Sequence, residues 1–365
     1  MGKHRIELMD SFRFIAVLSV LLYHFTNSWI SLYPYGNFFE HIFRFGYLGV
    51  NFFFMISGFV ISYTLENTYN LFSFYKNRFS RLFPPMLLCT IITFVIVSLL
   101  DNHDLFRNAH EIKNFVPSLT FINPTLWTLI TKIDFHWING SYWSLWTEIQ
   151  FYLVSSFVYF LNKRYFFRNM LLAGIVIVAI KYIPIDLLNT HNEYLKSHDL
   201  LNFFSGWRYG DEIFNITFYM IWFLPGVVFY KLYKGFDVRQ DIFSVILILV
   251  ILFYLVWDTR VFFADSFYVT MIACLLMFGL FFLMIYQKKY LSFLTNPLFT
   301  RIGVISYTIY LIHEEIGVLL INKYGKYLGN WSALSPFVII IIVTCFAELS
   351  FRFYERKVSR FLRGL

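Results

Sequence analysis

A histidine and an arginine share the first apolar segment of the chain, where ionisable side chains are costly. Arg13 and His24 are 11 residues apart. That spacing is close to three full helical turns, so the two side chains share one helix face, about 16 Å apart along the axis. An imidazole at such a depth is suited to act as a general base, a nucleophile or a proton relay. The alternatives are a histidine that only hydrogen-bonds between helices and an arginine that extends to the membrane surface.

A glutamate lies at a comparable depth in a later apolar segment, which begins at Gly140. Glu148 falls roughly 10 Å inside that segment, and we therefore predict that it lies level with His24. A carboxylate beside a histidine can hold the ring, raise its basicity or share its proton. The alternative is a neutral glutamate that bonds to a neighbouring helix.

A second histidine, His313, falls near the middle of another apolar segment and precedes Glu314 and Glu315. This sequence is not a zinc-protease motif, because it lacks the second histidine that coordination needs. The three cysteines lie inside apolar runs without metal-ligand spacing, so no metal site is expected. We predict that His313 lines the same cavity as His24, or that it serves helix packing.

Two arginines, Arg78 and Arg81, are three residues apart and project from one helical face. Guanidinium groups bind phosphates through two parallel hydrogen bonds, so this pair is a candidate phosphate site. The alternative is the ordinary positive charge of a cytoplasmic loop. The sequence around the pair contains no glycine-rich phosphate loop, nucleophilic serine elbow or dinucleotide fingerprint.

Helices in a bilayer must position these side chains, because the composition suits no other solvent. The 365 residues are 58% hydrophobic and only 14% charged, whereas a soluble chain carries roughly 25% charged residues. The net charge is +8, but the basic residues are scattered between apolar runs, which excludes a nucleic-acid-binding protein. The apolar runs are long and continuous, which indicates helices rather than the strands of a barrel.

The predicted fold class is an all-α, polytopic membrane helix bundle. A span needs about 20 mostly apolar residues, and roughly ten segments meet that requirement. They lie near 11–31, 46–65, 83–100, 141–161, 168–183, 214–233, 242–257, 265–286, 302–322 and 332–352.

The distribution of basic residues predicts that both termini face the cytoplasm. With that orientation the cytoplasmic segments carry 20 of the lysines and arginines and the outer segments carry 10. Two outer loops, 101–140 and 184–213, are long and rich in tryptophan and histidine, so we expect them to be ordered.

Taken in order, these motifs resemble the type-3 acyltransferase family, integral-membrane enzymes that acylate surface and exported carbohydrates. The likeness extends over essentially the whole chain, although many members have an aspartate where this chain has Asn51. The stretches that carry it are 5–24 with its arginine and histidine separated by ten residues, 46–59, 75–84, 141–148 and 306–313.

The resemblance implies a single membrane-embedded acyltransferase domain over 1–365, in the inner membrane of the cell and in contact with its lipids. It implies transfer of an acyl group, usually acetyl from cytoplasmic acetyl-CoA, without a metal. The expected acceptor is a hydroxyl of a lipid-linked or exported glycan, such as lipopolysaccharide O-antigen or an exopolysaccharide.

The resemblance and the spacing together suggest a role for each candidate residue. His24 is the expected base or transient acyl carrier, Glu148 orients it, and Arg13 attracts the donor at the mouth of a polar path. Arg13 is also expected, with Arg78 and Arg81, to bind coenzyme A. The residues expected to bind the acceptor are His313, Trp143 and Asn51.

A secondary transporter that exports a glycan or a lipid-linked sugar is the alternative function. Histidine and glutamate inside a membrane suit proton relays equally well. Many transporters contain inverted repeats, and no internal symmetry is detectable in this sequence. Binding or hydrolysis of acetyl-CoA distinguishes the two functions, because only the enzyme is expected to do either.

Overall fold

The regular structure of the described residues is entirely helical. The computed structural model describes residues 6–39, 41–102, 104–180, 212–235, 238–257 and 267–364. Its helices are α1 (Glu7–Tyr23), α2 (Leu48–Glu66), α3 (Leu71–Leu100), α4 (Phe115–Thr120), α5 (Pro124–Thr131), α6 (Trp143–Leu161), α7 (Phe166–Ile180), α8 (Ile216–Lys234), α9 (Val238–Trp257), α10 (Phe267–Tyr286), α11 (Pro297–Tyr324), α12 (Ser335–Ser350) and α13 (Arg356–Gly364). Each segment predicted to span the membrane overlaps one of the longer helices.

Several of these helices are suited to cross a membrane, so the chain is a multi-pass membrane protein whose described residues form an all-α structure. By length and apolar composition, 5 helical stretches of the described residues qualify, or 6 if the bent pair Met271–Tyr286 and Lys288–Thr295 forms one span. The 5 stretches are Glu7–Ser28, Leu48–Glu66, Leu71–Leu100, Ile216–Lys234 and Pro297–Gly364. The count of roughly ten crossings and the cytoplasmic side of the termini stay predictions.

The first of the two long outer loops is folded, as expected. It contains α4 and α5, and the carboxylate of Asp101 at its start accepts backbone hydrogen bonds from Leu105 and Phe106 at 3.1 and 2.8 Å. The second loop, predicted over 184–213, lies outside the described residues except for its last two positions.

Helix α1 is held between α2 and α11 by close backbone contacts at two glycines. A Cβ atom built on Gly303 of α11 would lie 1.7 Å from the carbonyl oxygen of Asp10, and one on Gly49 of α2 would lie 2.4 Å from that of Ala16. Small residues of this kind let helix backbones approach closely inside a membrane. The position of α1 fixes Arg13 and His24 relative to the side chains of α2 and α11.

The first and last described helices lie at the same end of the bundle. Ile6, just before α1, and Arg363 of α13 line one cavity. Helix α13 packs against α3, and Nε of Arg363 donates a hydrogen bond to Oγ of Ser80 at 3.2 Å. Ile6 and Arg363 therefore lie near the same cavity, whereas the side of the membrane that each end of the chain faces stays a prediction.

We expect Gly303→Ala to destabilise the protein, because α1 and α11 must separate to admit a methyl group 1.7 Å from a carbonyl oxygen. Overpacking costs about 1–3 kcal/mol, and thermal unfolding of the purified protein in detergent measures it. Gly279→Ala is the matched control, because nothing lies within 4 Å of a Cβ at Gly279. An equal melting midpoint for both variants would contradict the close contact between α1 and α11.

Candidate active site

Three cavities follow one another through the bundle and share wall residues. The arginine cavity, about 580 Å³, is lined by Arg13 and Arg78, among others. The neck, about 80 Å³, shares both arginines and adds Glu148 and Tyr310. The histidine cavity, about 690 Å³, shares Tyr310 with the neck and contains His24. The cavities therefore form a series that joins a cationic end to an imidazole.

The local backbone places His24 at the point where α1 changes its winding. Helix α1 ends at Tyr23 and continues as a π-helical stretch, His24–Ser28, a distortion that is frequent at functional sites. The phenol of Tyr33 donates a hydrogen bond to the backbone carbonyl of His24. Burial raises the pKa of the Tyr33 phenol, so this donor stays protonated and continues to support the turn.

The carboxylate that faces His24 comes from α11. Nδ1 of His24 lies 3.4 Å from Oε1 of Glu314, and both residues line the histidine cavity. The two groups are not hydrogen-bonded, since Nδ1 of His24 has no hydrogen-bond partner among the described residues, so the carboxylate can act on the ring only through its charge. The Glu314 side chain is 11% exposed and that of His24 is 17% exposed, so water weakens the contact only in part.

The prediction that Glu148 orients His24 is wrong, because Glu148 lies in the neck with different partners. Its Oε1 accepts hydrogen bonds from the hydroxyls of Ser57 and Tyr152, both at 2.6 Å. The carboxylate is therefore held by hydroxyl groups of α2 and α6, at the end of the neck that also contains the arginines.

The depth predicted for Glu148 assumed that its segment begins at the membrane surface, and the structure shows a different starting point. The backbone nitrogen of Gly140 donates a hydrogen bond to Oε1 of Glu315 at 2.5 Å, and Glu315 follows the residue that faces His24. The segment therefore starts at the level of His24 and not at the membrane surface. Glu148 is eight residues further on, which places it about 12 Å deeper along a helix.

His313 is fully buried and lies directly behind His24. The two rings are edge to face, with 4.9 Å between their centroids. Nδ1 of His313 donates to the carbonyl oxygen of Tyr310 at 2.7 Å, which leaves Nε2 as the acceptor. Nε2 has no hydrogen-bond partner among the described residues. This position does not support the predicted contact between His313 and an acceptor, because the side chain is fully buried and does not line the cavity that contains His24.

The other two residues predicted to bind the acceptor do lie with His24. Asn51 of α2 and Trp143 of α6 both line the histidine cavity. The Trp143 ring packs against that of Tyr219, 5.1 Å away between centroids, which holds the indole at the cavity wall. The structure therefore brings a flat aromatic surface and an amide to the same cavity as the imidazole.

Arg78 is a buried cation with spare hydrogen-bonding capacity. Its Nη2 donates to Oγ1 of Thr64 at 2.5 Å, and its guanidinium carbon lies 5.5 Å from the ring centroids of Phe74 and Tyr152. Its Nε has no hydrogen-bond partner among the described residues. The aromatic rings hold the guanidinium in place, at the wall of the arginine cavity that Arg78 lines.

The remaining predicted arginines complete this wall. Arg13 forms an ion pair with Asp10 at 2.9 Å and lines both the arginine cavity and the neck. Arg81 lines the same two cavities. Arg13, Arg78 and Arg81 therefore line one space, and the binding of coenzyme A there stays a prediction.

Sequence reasoning missed three arginines of α13 that line the arginine cavity. Arg356, Arg360 and Arg363 counted only as cytoplasmic positive charge, although spacings of four and three residues place them on one helix face. That spacing was the available signal. It did not show whether the face meets a cavity, lipid headgroups or water.

The site combines an imidazole at one end with a group of guanidinium side chains at the other. Within the described ranges no cluster of three or more His, Cys, Asp or Glu side chains could hold a metal ion. The imidazole of His24 is chemically suited to acid–base or nucleophilic catalysis, and guanidinium groups are suited to bind an anionic group.

Comparisons with known proteins agree with this description. A family model described as an acyltransferase domain matches residues 6–351. A protein of Staphylococcus aureus (strain COL), provisionally named an O-acetyltransferase, is 24% identical over 95% of this chain and 56% of its own length. O-acetyltransferase OatA of Staphylococcus aureus (strain NCTC 8325 / PS 47) is 25% identical over 96% of this chain and 57% of its own length. The chain thus spans little more than half the length of these relatives, and no solved structure matches it.

We expect diethyl pyrocarbonate to modify His24 and to spare His313 in the folded protein, because the His24 side chain faces a cavity and His313 is 0% exposed. Mass spectrometry of peptides after a short exposure measures both sites. The denatured protein is the control, in which both histidines should react. Equal modification of the two in the folded protein would rule out the buried position of His313.

Proposed function

The chain belongs to the acyltransferase-domain family, and we propose that it is an O-acetyltransferase that moves acetyl from acetyl-CoA to a hydroxyl of a lipid-linked or exported glycan. The enzyme class follows from the family match, and the apolar helices make it a multi-pass membrane enzyme. The names of the relatives support the acetyl group. The glycan acceptor and the inner membrane as its location are parts of the proposal.

The observation that carries the proposal is the series of three cavities. It places guanidinium groups and an imidazole at opposite ends of one internal route. An enzyme that joins a donor and an acceptor from opposite sides of a bilayer needs such a route. Under the predicted orientation the arginine cavity opens to the cytoplasm, where acetyl-CoA is available, and the histidine cavity opens outward.

The arginine cavity suits the phosphates of coenzyme A. Arg78 and Arg81 both line this cavity, and neither has a carboxylate partner among the described residues, so their guanidinium groups can bind phosphate oxygens. Arg13 lies at the entrance of the neck. His24 is about 16 Å further along the helix, and an extended pantetheine arm covers much of that distance.

His24 is the proposed catalytic residue. It removes the proton from the acceptor hydroxyl as that oxygen attacks the acetyl carbonyl carbon, and it returns the proton to the departing thiolate. One C–O bond forms and one C–S bond breaks. The alternative is that a ring nitrogen of His24 first carries the acetyl group and then passes it to the hydroxyl. Glu314 stabilises the cationic ring in either case, and His313 supports it from behind.

The histidine cavity is the proposed acceptor site. Asn51 offers an amide that both donates and accepts hydrogen bonds with hydroxyl groups, and Trp143 offers a flat apolar face. Both lie in the wall that contains His24. A saccharide bound between them presents a hydroxyl to the imidazole.

We expect His24→Ala to reduce acetyl transfer by a factor of at least about 100, because no other described imidazole lines the histidine cavity. Membranes that contain the protein are incubated with radiolabelled acetyl-CoA, and label in the surface polysaccharide is counted. Binding of acetyl-CoA by the purified variant is the control, and it should match that of wild type because His24 lies outside the arginine cavity.

Wild-type transfer by His24→Ala would remove this residue from the mechanism. A purified wild-type protein that neither binds nor hydrolyses acetyl-CoA would contradict the choice of donor, and it would favour the transporter.

We expect Glu314→Gln to lower kcat by roughly tenfold or more and to leave the KM for acetyl-CoA unchanged, because Glu314 contacts His24 and lies outside the arginine cavity. Steady-state kinetics in vesicles separates the two parameters. Glu148→Gln is the matched comparison, since it removes a carboxylate that contacts Ser57 and Tyr152 instead. A loss of kcat in Glu148→Gln alone would show that Glu314 does not position His24.

A further inference from the structure

Helix α13 presents three arginines to the arginine cavity from one face. Arg356, Arg360 and Arg363 follow one another at four and three residues and all line this cavity, as does Ser359. The family match ends at residue 351, five residues before α13 begins. The helix is therefore a feature that the family match does not describe.

The α13 arginines are not neutralised by the protein. Arg360 donates from Nε to the backbone oxygen of Arg356 at 3.2 Å, and Arg363 donates to Ser80. Arg356 lies 5.9 Å from the ring centroid of Phe351. None of the three has a carboxylate partner among the described residues, so all three charges are available to an anion.

The carboxylates of the cavity wall are already occupied. Asp10 pairs with Arg13 at 2.9 Å. Glu355 accepts hydrogen bonds from the hydroxyls of Thr308 and Ser350, at 2.8 and 2.5 Å. Six arginines therefore face two occupied carboxylates in this cavity, and the excess of positive charge calls for a ligand with several phosphates.

The six arginines divide into two groups by depth. Those of α1 and α3 line both the arginine cavity and the neck, whereas the α13 arginines line the arginine cavity alone. Arg356, Arg360 and Arg363 are exposed, as expected at the open end of the cavity. The α13 group therefore lies further from His24 than the α1 and α3 group.

We propose that the α13 arginines bind the 3′-phosphate of coenzyme A, while Arg78 and Arg81 bind its diphosphate. This inference rests on the proposed function, in which acetyl-CoA is the donor. With the thioester in the neck, the diphosphate lies nearer the neck and the 3′-phosphate lies at the open end. A phosphomonoester carries roughly −1.5 to −2 charge at pH 7, which matches a cluster of guanidinium groups.

A lipid headgroup is the other source of phosphate that α13 could meet. Phe361 is 67% exposed and lies on a different face of the helix from the arginines, so α13 can rest on a membrane surface. The arginines line a cavity shared with Arg78 and Arg81, which favours the nucleotide. The experiment therefore compares neutral and anionic lipids.

The test measures the Kd of the full chain for acetyl-CoA and for 3′-dephospho-acetyl-CoA in nanodiscs of neutral phosphatidylcholine. Wild type should bind acetyl-CoA roughly tenfold more tightly than the dephospho ligand. In Arg360→Gln this preference should shrink several-fold, through weaker binding of acetyl-CoA alone. Arg360 is chosen because its hydrogen bond lies within α13, so its loss does not detach the helix from α3. Arg360→Lys should retain part of the preference.

Two matched variants complete the experiment. Lys357→Gln removes one positive charge from α13 without altering the cavity wall, and it should keep the wild-type preference. Arg78→Gln should weaken both ligands to a similar degree, since both contain the diphosphate. Thermal unfolding of each variant confirms that α13 substitutions leave the fold intact.

The outcomes separate this inference from the proposed function. If wild type binds acetyl-CoA but Arg360→Gln keeps the full preference, the α13 assignment is overturned and the donor assignment stands. If wild type binds neither ligand, both are overturned. If Arg360→Gln weakens both ligands equally, and only in nanodiscs that contain phosphatidylglycerol, α13 acts through lipid headgroups and the inference is overturned.

Discussion

The cost of burying charge inside an apolar helix bundle determines how this protein is built. An ionisable side chain in a membrane must find a partner or a water-filled space, and the described charges of the interior do one or the other. Arg13 pairs with Asp10, Glu148 accepts from two hydroxyls, and Glu314 faces His24. The arginines without carboxylate partners lie on the wall of a cavity. The polar groups thus outline a route through the bundle instead of being distributed over it.

Helix α1 links the two ends of that route. It carries Arg13 at the boundary between the arginine cavity and the neck, and His24 follows it in the histidine cavity. Close contacts at Gly303 and Gly49 hold α1 against α11 and α2, so the helix backbone sets the distance between Arg13 and His24. The helix changes from α-helical to π-helical winding at His24, the residue that carries the imidazole.

The histidine cavity and the arginine cavity are built by different physical means. At His24, a single carboxylate and a buried second histidine lie next to one ring. At the arginine cavity, several guanidinium groups together supply the positive charge, and they come from helices that are far apart in the sequence. This difference suits a reactive group that must be placed accurately and a polyanionic ligand that must be held strongly.

Sequence by itself determined the class of protein and most of the groups that matter. Composition and long apolar runs identified a helical membrane protein, and the spacing of Arg13 from His24 and of Arg78 from Arg81 is local information that a helix preserves. Tertiary structure alone decided which carboxylate faces His24. The depth of Glu148 depends on where the segment before α6 meets α11, and this is set by the hydrogen bond between Gly140 and Glu315. No local sequence pattern encodes that contact. Tertiary structure also decided that His313 lies behind His24 and that the α13 arginines face a cavity. Positive charges near a membrane surface have the same pattern in the sequence whether they meet lipid, water or a ligand, and only the packing of α13 against α3 distinguishes these cases.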